Sequence, residues 1–363
     1  MIKTQQLHYI FFVFILLITS CQHTTKNNFN KDSSDYFTNP ILDLDAEPWV
    51  YFYDGYYYYT AGANDKIILR RTKDITDLKK TEAITVWRPN KEEYGYHLWG
   101  PQVCRIANKW YIYFAADDGN TDNHQIYVIE NEEENPLDGT FTMKGRIITD
   151  EEENWAIYPH VFEHQNELYM TWSGWQTRRI EIETQCIYIA KMENPWTLST
   201  NRVLISKPEY EWERQWINPD GSRTAYPIFV NEAPHSFYTK NKDKLLIYYA
   251  ASGSWTPYFC SGLLSADSNS NLLDPKSWSK SKEPVFNLSE KNGVCSVGSP
   301  VFFPSPDGTE FFYLYRARNY NGINSTSESS PRIERVEWDV QGFPILNPPI
   351  AIGLQIKKPS GIN

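Results

Sequence analysis

Five positions of this chain carry side chains that could form one chemical site. Each lies at or just before a proline near the start of a strand-like run. The five positions are Glu47, Trp99 with Gly100, Tyr158, Glu232 with Ala233, and Ser299. Two carboxyl groups can act as general acid and general base, and aromatic rings offer flat faces to a sugar. If the five positions converge, their residue types favour a sugar site.

The segments around these residues form an internal repeat. In each copy the run after the proline breaks at a turn and resumes, as in Trp49-Val50 followed by Asp54-Gly55-Tyr56-Tyr57. Paired strands that recur every 50 to 75 residues or so are typical of propeller blades, which bury both faces only when neighbours stack around an axis. The sequence therefore predicts an all-β, five-bladed β-propeller over residues 39–357. Since the first strand of each blade lines the channel, the five positions should meet in one pocket.

The composition fits one large β domain. Hydrophobic residues make up 41% of the 363 residues, which suffices for a core, and aromatic residues make up 15%. No stretch keeps a helical period of 3.6 residues. Most of the aromatic rings should therefore belong to a strand-rich core, and only those near the five prolines are candidates for ligand contact.

The N-terminus has the pattern of a bacterial lipoprotein signal. Lys3 precedes an apolar run from Tyr9 to Ile18, and a small residue, Ser20, stands just before Cys21. A run of about ten apolar residues is too short to cross a bilayer of roughly 30 Å. We expect a signal peptide at 1–20, a lipidated Cys21 and a flexible tether over 21–38. The predicted location is the bacterial cell envelope, lipid-anchored at the outer membrane on its periplasmic or surface face.

Charge and cysteine spacing limit the partners. Without residues 1–20 the net charge is −11, since Lys3 is the only charged residue removed, and this argues against nucleic acid. We expect a monomer that touches the membrane only through its lipid and needs no cofactor or metal. Cys104, Cys186, Cys260 and Cys295 include no Cys-x-x-Cys pair, so they form up to two disulfides or remain buried thiols.

The motifs around the prolines resemble glycoside hydrolase family 43, which contains α-L-arabinofuranosidases and β-xylosidases on a five-bladed propeller. The stretches that carry the resemblance are Ala46-Glu47-Pro48-Trp49, Leu98-Trp99-Gly100-Pro101, Trp172-Ser173-Gly174-Trp175 and Asn231-Glu232-Ala233-Pro234. They look most similar to arabinofuranosidases that act from chain ends. The resemblance implies an inverting glycosidase with an Asp base on blade one, an Asp that tunes the acid on blade three, and a Glu acid on blade four.

Carried over residue by residue, the resemblance makes Glu232 the general acid and Glu47, in place of the usual Asp, the general base. Tyr158 stands where the tuning carboxylate is expected. Asp45, Tyr158 and His160 are therefore candidate substitutes for the base or the tuning group. On blade five, Ser299 and Arg316 stand where the family often has His, which weakens the expectation of a bound metal ion.

The sequence leaves three functions open. The first is an exo-acting, inverting, α-L-arabinofuranosidase-like glycosidase that cleaves an oligosaccharide or polysaccharide. The second is a glycan-binding propeller that has lost the chemistry, and the third is a family member for another furanoside or a galactoside. The candidate substrate-binding side chains are Trp49, Trp99, Trp175, Trp255 and Arg316.

Overall fold

The computed structural model describes residues 35–62, 65–178, 183–216, 222, 228–322 and 327–362. The predicted signal peptide, Cys21 and the tether as far as residue 34 lie outside these ranges. Residues 36–38, which the sequence analysis assigned to the tether, instead form a strand, β1 (Tyr36–Thr38). The folded domain therefore includes Tyr36. None of the helices in the described ranges is long and apolar enough to cross a membrane.

Five blades of antiparallel strands, one for each repeat, form the domain, and a parallel strand pairing joins blades III and IV into one sheet. Blades I and II have four strands each: β2 (Trp49–Tyr53), β3 (Tyr56–Gly62), β4 (Ile67–Thr72), β5 (Ile84–Trp87), then β6 (Tyr96–Ile106), β7 (Lys109–Asp117), β8 (Gln125–Asn131), β9 (Thr142–Ile147). Blade III comprises β10 (Ala156–His164), β11 (Glu167–Gly174), β12 (Glu183–Asn194), β13 (Thr197–Leu198), β14 (Val203–Ser206). Blades IV and V comprise β15 (Ile228–Tyr238), β16 (Lys244–Ala251), β17 (Cys260–Asp267), β18 (Ser279–Lys280), then β19 (Val294–Pro304), β20 (Phe311–Asn319), β21 (Ser330–Arg335).

Short elements complete the described chain. Two small strand pairs lie outside the blades: β22 (Glu337–Trp338) with β23 (Pro344–Ile345), and β1 with β24 (Gln355–Lys357). The 3₁₀ helices of the described ranges are Ile75–Lys80, Glu92–Tyr94, Thr121–Asn123, Glu211–Glu213, Pro275–Ser277.

The first strands of the blades form a ring. In the order β2, β6, β10, β15 and β19, each first strand contacts the next, and β19 contacts β2. The segment before blade I helps to close this ring, because the Ile41 and Asp45 amides donate to the Pro331 and Ser329 carbonyls of blade V, both at 3.0 Å. The predicted five-bladed propeller is confirmed, and its channel begins where the five prolines lie.

The turns and the core follow the residue types. Asp54 and Gly55 both have positive φ, 48° and 74°, as the two-residue turn of the β2–β3 hairpin requires. The largest fully buried side chains include Trp110, Trp172 and Tyr59, so most of the aromatic content is core. Of the two alternatives for the cysteines, disulfides or buried thiols, the structure shows the second: Cys104, Cys186, Cys260 and Cys295 are all buried free thiols.

Candidate active site

Glu47 occupies the loop just before β2, and both of its carboxylate oxygens accept hydrogen bonds. The Tyr158 hydroxyl donates to Oε1 at 2.6 Å, and the Gly100 amide donates to Oε2 at 2.7 Å. These three residues come from the starts of blades I, II and III. Burial raises the pKa of Glu47, while the two donors favour its ionised form. The carboxylate is thereby fixed in one orientation.

Gly100 makes the approach of Tyr158 possible. Its φ is +56°, and a Cβ at this position would lie 2.4 Å from Cδ1 of Tyr158. Tyr158 itself has a positive φ of 50°, which is uncommon for an aromatic residue. The two irregular backbones lie where the registers of β6–β7 and β10–β11 shift. A local break in each strand therefore aims the phenol at Glu47.

Asp45 lies behind Glu47 and does not line the pocket. Its Oδ1 accepts the Glu47 amide at 2.9 Å, and its Oδ2 accepts the Tyr59 hydroxyl. Burial raises the pKa of Asp45. Its carboxylate is therefore used to hold the loop, and it is not placed to activate a water in the pocket as the sequence analysis allowed.

Glu232 lies on β15, at a register shift between it and His235 in the pairing with β16. The side chain is 8% exposed, and no described residue donates a hydrogen bond to its carboxyl group. Burial raises the pKa of Glu232 to about 8; Arg316 acts against this, while Glu47 and Glu183 add to it. Glu232 thus keeps its proton at neutral pH. Burial does here what the missing blade-three carboxylate was expected to do.

Arg316 on β20 is the one arginine among the described residues that line this pocket. Its Nη2 donates to Ser329 Oγ and, at 3.4 Å, to the Ser254 carbonyl, and the group lies 5.1 Å from the Phe259 ring centre. The buried Nε–H has no hydrogen-bond partner in the described chain. An unsatisfied buried donor is costly, so a ligand oxygen at this point would be stabilising.

The two carboxyl groups face a space with two parts. The inner pocket is lined by Ala46, Glu47, Pro48, Trp49, Gly100, Gln102, Tyr158, Glu232, Ala233, His235, Phe259, Gly298, Ser299, Arg316. The outer groove shares Ala46, Glu47, Tyr158, Glu232 and Arg316 with the pocket. Its other main walls are Trp99, Trp155, Ile157, Trp175, Glu183, Gln185, Ser254, Trp255. The acid and the base therefore stand at the junction of pocket and groove.

The predicted aromatic residues divide between the two parts. Trp49 lines the inner pocket, fixed by a 2.8 Å bond from its indole nitrogen to the Val103 carbonyl. Trp99 and Trp255 line the outer groove, and Trp99 is stacked on His124 with ring centres 4.0 Å apart. Trp175 is only 3% exposed and stacks on Trp155, so it supports the wall more than it offers a face.

His160 is not part of the pocket wall, contrary to its candidacy as a substitute base or tuning group. It lies deeper in the channel, in a chain of hydrogen bonds. The links are His160 Nε2 to Ser236 Oγ (2.8 Å), His160 Nδ1 to Gln102 Oε1 (3.2 Å), Gln102 Nε2 to His235 Nε2 (3.2 Å), His235 Nδ1 to Ser299 Oγ (2.8 Å).

The chain of hydrogen bonds fixes the histidine tautomers. Ser299 donates its proton to the Ala233 carbonyl, so His235 Nδ1–H must donate to Ser299, and His235 Nε2 accepts from Gln102. The Gln102 carbonyl then accepts from His160. Burial lowers the pKa of His235 to about 3 and that of His160 well below its usual value, so both rings are neutral. This network closes the floor of the inner pocket.

Sequence reasoning missed several lining residues. Gln102 follows Pro101 directly, so the repeat could have indicated it. Glu183 and Phe259 belong to no repeat motif, because Glu183 enters the site from β12, the third strand of blade III, and Phe259 from the loop before β17. No group of three His, Cys, Asp or Glu side chains able to hold a metal ion occurs in the described part of the chain.

A buried glutamic acid that holds its proton, in one pocket with an oriented glutamate, is the pair of carboxyl groups that glycoside hydrolases use. Residues 37–344 match glycosyl hydrolases family 43, and the chain belongs to this family.

Similar proteins are arabinofuranosidases. An extracellular exo-α-(1→5)-L-arabinofuranosidase of Streptomyces avermitilis is 33% identical over 88% of this chain and 64% of its own length. The enzyme of the same name from Streptomyces chartreusis is 32% identical over 79% of this chain and 84% of its own. The crystal structure of an α-L-arabinofuranosidase from Lactobacillus brevis superposes with a TM-score of 0.77 at 30% identity, covering 88% of this chain and 98% of that one. This chain therefore spans about two thirds of the first relative and most of the other two.

Proposed function

We propose that this protein removes single α-L-arabinofuranosyl residues from the ends of oligosaccharide or polysaccharide chains, with inversion at the anomeric carbon. The observation that carries the proposal is the pairing of a protonated Glu232 with a Glu47 carboxylate oriented by Tyr158 and Gly100. The names of the relatives supply the sugar. Neither the sugar nor the linkage follows from the geometry alone.

The proposed reaction uses each carboxyl group once. Glu232 gives its proton to the glycosidic oxygen as the bond to the anomeric carbon breaks. A water attacks that carbon from the opposite face and gives a proton to Glu47, so the products are the free sugar and a shortened chain. Each Glu47 oxygen has already accepted one hydrogen bond and keeps a lone pair for this water. An inverting pair should have its carboxyl groups roughly 6.5–9.5 Å apart, which leaves room for the water.

Cleavage from a chain end is supported by the closed floor. The network of Gln102, His160 and His235 fills the channel below the inner pocket, so a glycan cannot pass through. The inner pocket ends at this floor and would take the terminal sugar, and the outer groove would take the next sugar. Trp49 would contact the terminal sugar, and Trp99 and Trp255 the sugar that is left behind.

The test is the release of sugar from arabino-, xylo- and galacto-oligosaccharides by the protein from Gln22 onward. We expect L-arabinose from α-1,5-linked arabino-oligosaccharides, with the β anomer appearing first in proton NMR. Glu232→Gln should abolish release. Glu163→Gln makes the same substitution at the opposite mouth of the channel and should leave sugar release unchanged.

Other outcomes would reassign the site. Release of a different sugar would make the protein a family member with another furanoside or a galactoside as substrate. No release from any glycan, together with saturable binding of one of them by calorimetry, would make it a glycan-binding propeller.

We also propose that the mature protein is a monomer held in the cell envelope by a lipid on Cys21. The support is the pattern of residues 1–21 and the extracellular relatives. Cys21→Ser should move the protein from the membrane fraction to the soluble fraction. Mass spectrometry should find a diacylglyceryl group on the N-terminal peptide of the native protein, and an unmodified Cys21 would contradict the proposal. Light scattering of the soluble form checks the monomer.

A further inference from the structure

Glu183 is a third carboxylate of the site that the motifs do not indicate. It is the first residue of β12, is partly buried, and lines the outer groove together with Glu232. The Gln185 amide donates to its Oε1 at 2.6 Å. Gln185 is itself 7% exposed and lines the same groove, so it holds the Glu183 carboxylate at the groove wall.

The strand pairing explains why Glu183 comes near the acid. β12 of blade III pairs in parallel with β15 of blade IV, with Glu183 opposite Ile228 and Gln185 opposite Val230. β15 then continues to Glu232. Alternate residues of a strand point to the same side, so Ile228, Val230 and Glu232 share one side of β15, and Glu183 and Gln185 share one side of β12. Glu183 and Glu232 thus enter one groove from adjacent strands.

The charged groups around Glu232 make a third carboxylate useful. Arg316 favours loss of the Glu232 proton, whereas Glu47 and Glu183 oppose it. Tyr158 and the neutral His235 also line the inner pocket, and Asp122 lines the outer groove. In the proposed reaction Glu47 becomes neutral just as Glu232 becomes charged. Glu47 therefore cannot repel the Glu232 charge at the point where the proton must return, whereas Glu183 takes no part in the proton transfers of the proposed cycle.

We propose that Glu183 is a positioning residue that, together with burial, helps to keep the catalytic proton on Glu232, a role that Tyr158 cannot fill because it has no charge at neutral pH. This inference rests on the proposed function. Glu183 does not touch the glycosidic oxygen. It acts through Glu232, and burial remains the larger influence on the acid.

The experiment compares the pH dependence of kcat/KM for wild type, Glu183→Gln, Glu183→Asp and Glu163→Gln. The substrates are an arabino-oligosaccharide, which needs the acid, and an aryl arabinofuranoside with a good leaving group, which needs it far less. For Glu183→Gln on the oligosaccharide, we expect the alkaline limb to move to lower pH by about half a unit to one unit, the size expected of a lost like charge nearby. At pH values above the alkaline pKa of both proteins, such a shift lowers kcat/KM by about three- to tenfold.

The other variants and the second substrate distinguish this role from a general loss of structure. Glu183→Asp should restore the limb, Glu163→Gln should not move it, and the aryl substrate should be nearly indifferent to Glu183→Gln. An equal loss on both substrates with an unmoved limb would overturn the inference, because it would show that Glu183 only supports the fold.

A measurement without turnover keeps the inference testable if the proposed function fails. In protein labelled with ¹³C at the glutamate carboxyl carbons, the resonance absent from Glu232→Gln is that of Glu232. Its titration midpoint should fall in Glu183→Gln and stay in Glu163→Gln. A midpoint unchanged by Glu183→Gln would refute the role of Glu183, whereas absent turnover with a shifted midpoint would refute only the reaction.

Discussion

The hydroxyl of Tyr158 lies 2.6 Å from Oε1 of Glu47 and donates its hydrogen bond to it. In the resemblance to family 43, the Tyr158 position belongs to a carboxylate that tunes the acid, and the Glu47 position to a shorter Asp base. Here the longer base reaches a phenol, and the phenol serves the base. The two departures from the family pattern therefore belong to one arrangement, because the Tyr158 hydroxyl and the Glu47 carboxylate are hydrogen-bonded to each other.

Replacing Tyr158 by Phe should impair the base. The phenol favours the ionised form of Glu47, so its loss raises the pKa of Glu47 further and moves the acidic limb of kcat/KM to higher pH. A hydrogen bond to a charged group is worth about 1.5–3 kcal/mol, so at pH 5 we expect a loss of ten- to hundredfold or so. Tyr59→Phe is the matched control, because Tyr59 donates to Asp45 instead. An acidic limb that stays in place in Tyr158→Phe would contradict this role.

Gly100→Ala tests the same contact from the other side. The new Cβ would meet Cδ1 of Tyr158 at 2.4 Å, so the ring must leave Glu47 or the backbone must move. Gly308→Ala is a control with similar backbone strain, since its φ is +69° and nothing lies within 4 Å of the added carbon. The positive φ should cost each variant about 1–2 kcal/mol of stability in urea unfolding, and Gly100→Ala should lose more because of its clash with Tyr158. Only Gly100→Ala should lose most of its kcat, and equal kcat values for the two would count against the clamp.

The repeat made the propeller predictable, and the prolines made much of the pocket predictable. Glu47, Tyr158 and Glu232 precede or adjoin prolines at equivalent points of their blades, and a ring of first strands must bring such points together. The roles of Asp45 and His160 were not predictable, because each lies within two residues of a pocket residue. At the irregular starts of these strands, a shift of one or two positions decides whether a side chain faces the pocket or the packing behind it.

The contacts of Glu183 and of the buried histidines could not be predicted from the sequence either. Glu183 reaches the groove through a parallel pairing between two blades, and no repeat position encodes that contact. The tautomers of His160 and His235 depend on four hydrogen bonds among five side chains, and their neutral state depends on burial. Both become visible only when the surrounding residues are in place. The sequence located the site and missed the electrostatic surroundings that set its protonation.

Arg316→Lys should weaken substrate binding. Lysine keeps the positive charge but lacks the planar fork and the Nε–H that has no partner in the described chain. We expect KM for the oligosaccharide to rise by about tenfold, the cost of one buried hydrogen bond, with little movement of either pH limb. Arg316→Gln also removes the charge, so it should in addition move the alkaline limb to higher pH. Arg335→Lys, at an exposed ion pair, is the control. An unchanged KM in Arg316→Lys would exclude Arg316 from substrate contact.

Glu232→Gln should stabilise the fold, and more so at high pH. The folded-state pKa of Glu232 is raised to about 8 from 4.5, so the folded protein holds this proton more tightly than the unfolded chain. Below about pH 4.5 Glu232 is protonated in both the folded and the unfolded state, so its ionisation costs the folded state nothing. As the pH rises towards 8, Glu232 ionises in the unfolded chain only, and the free energy of unfolding falls. Glutamine cannot ionise, so the Tm difference between variant and wild type should be small at pH 4.5 and grow up to pH 8. Glu163→Gln should show no such trend, and a Tm difference independent of pH would mean that Glu232 is not buried with its proton.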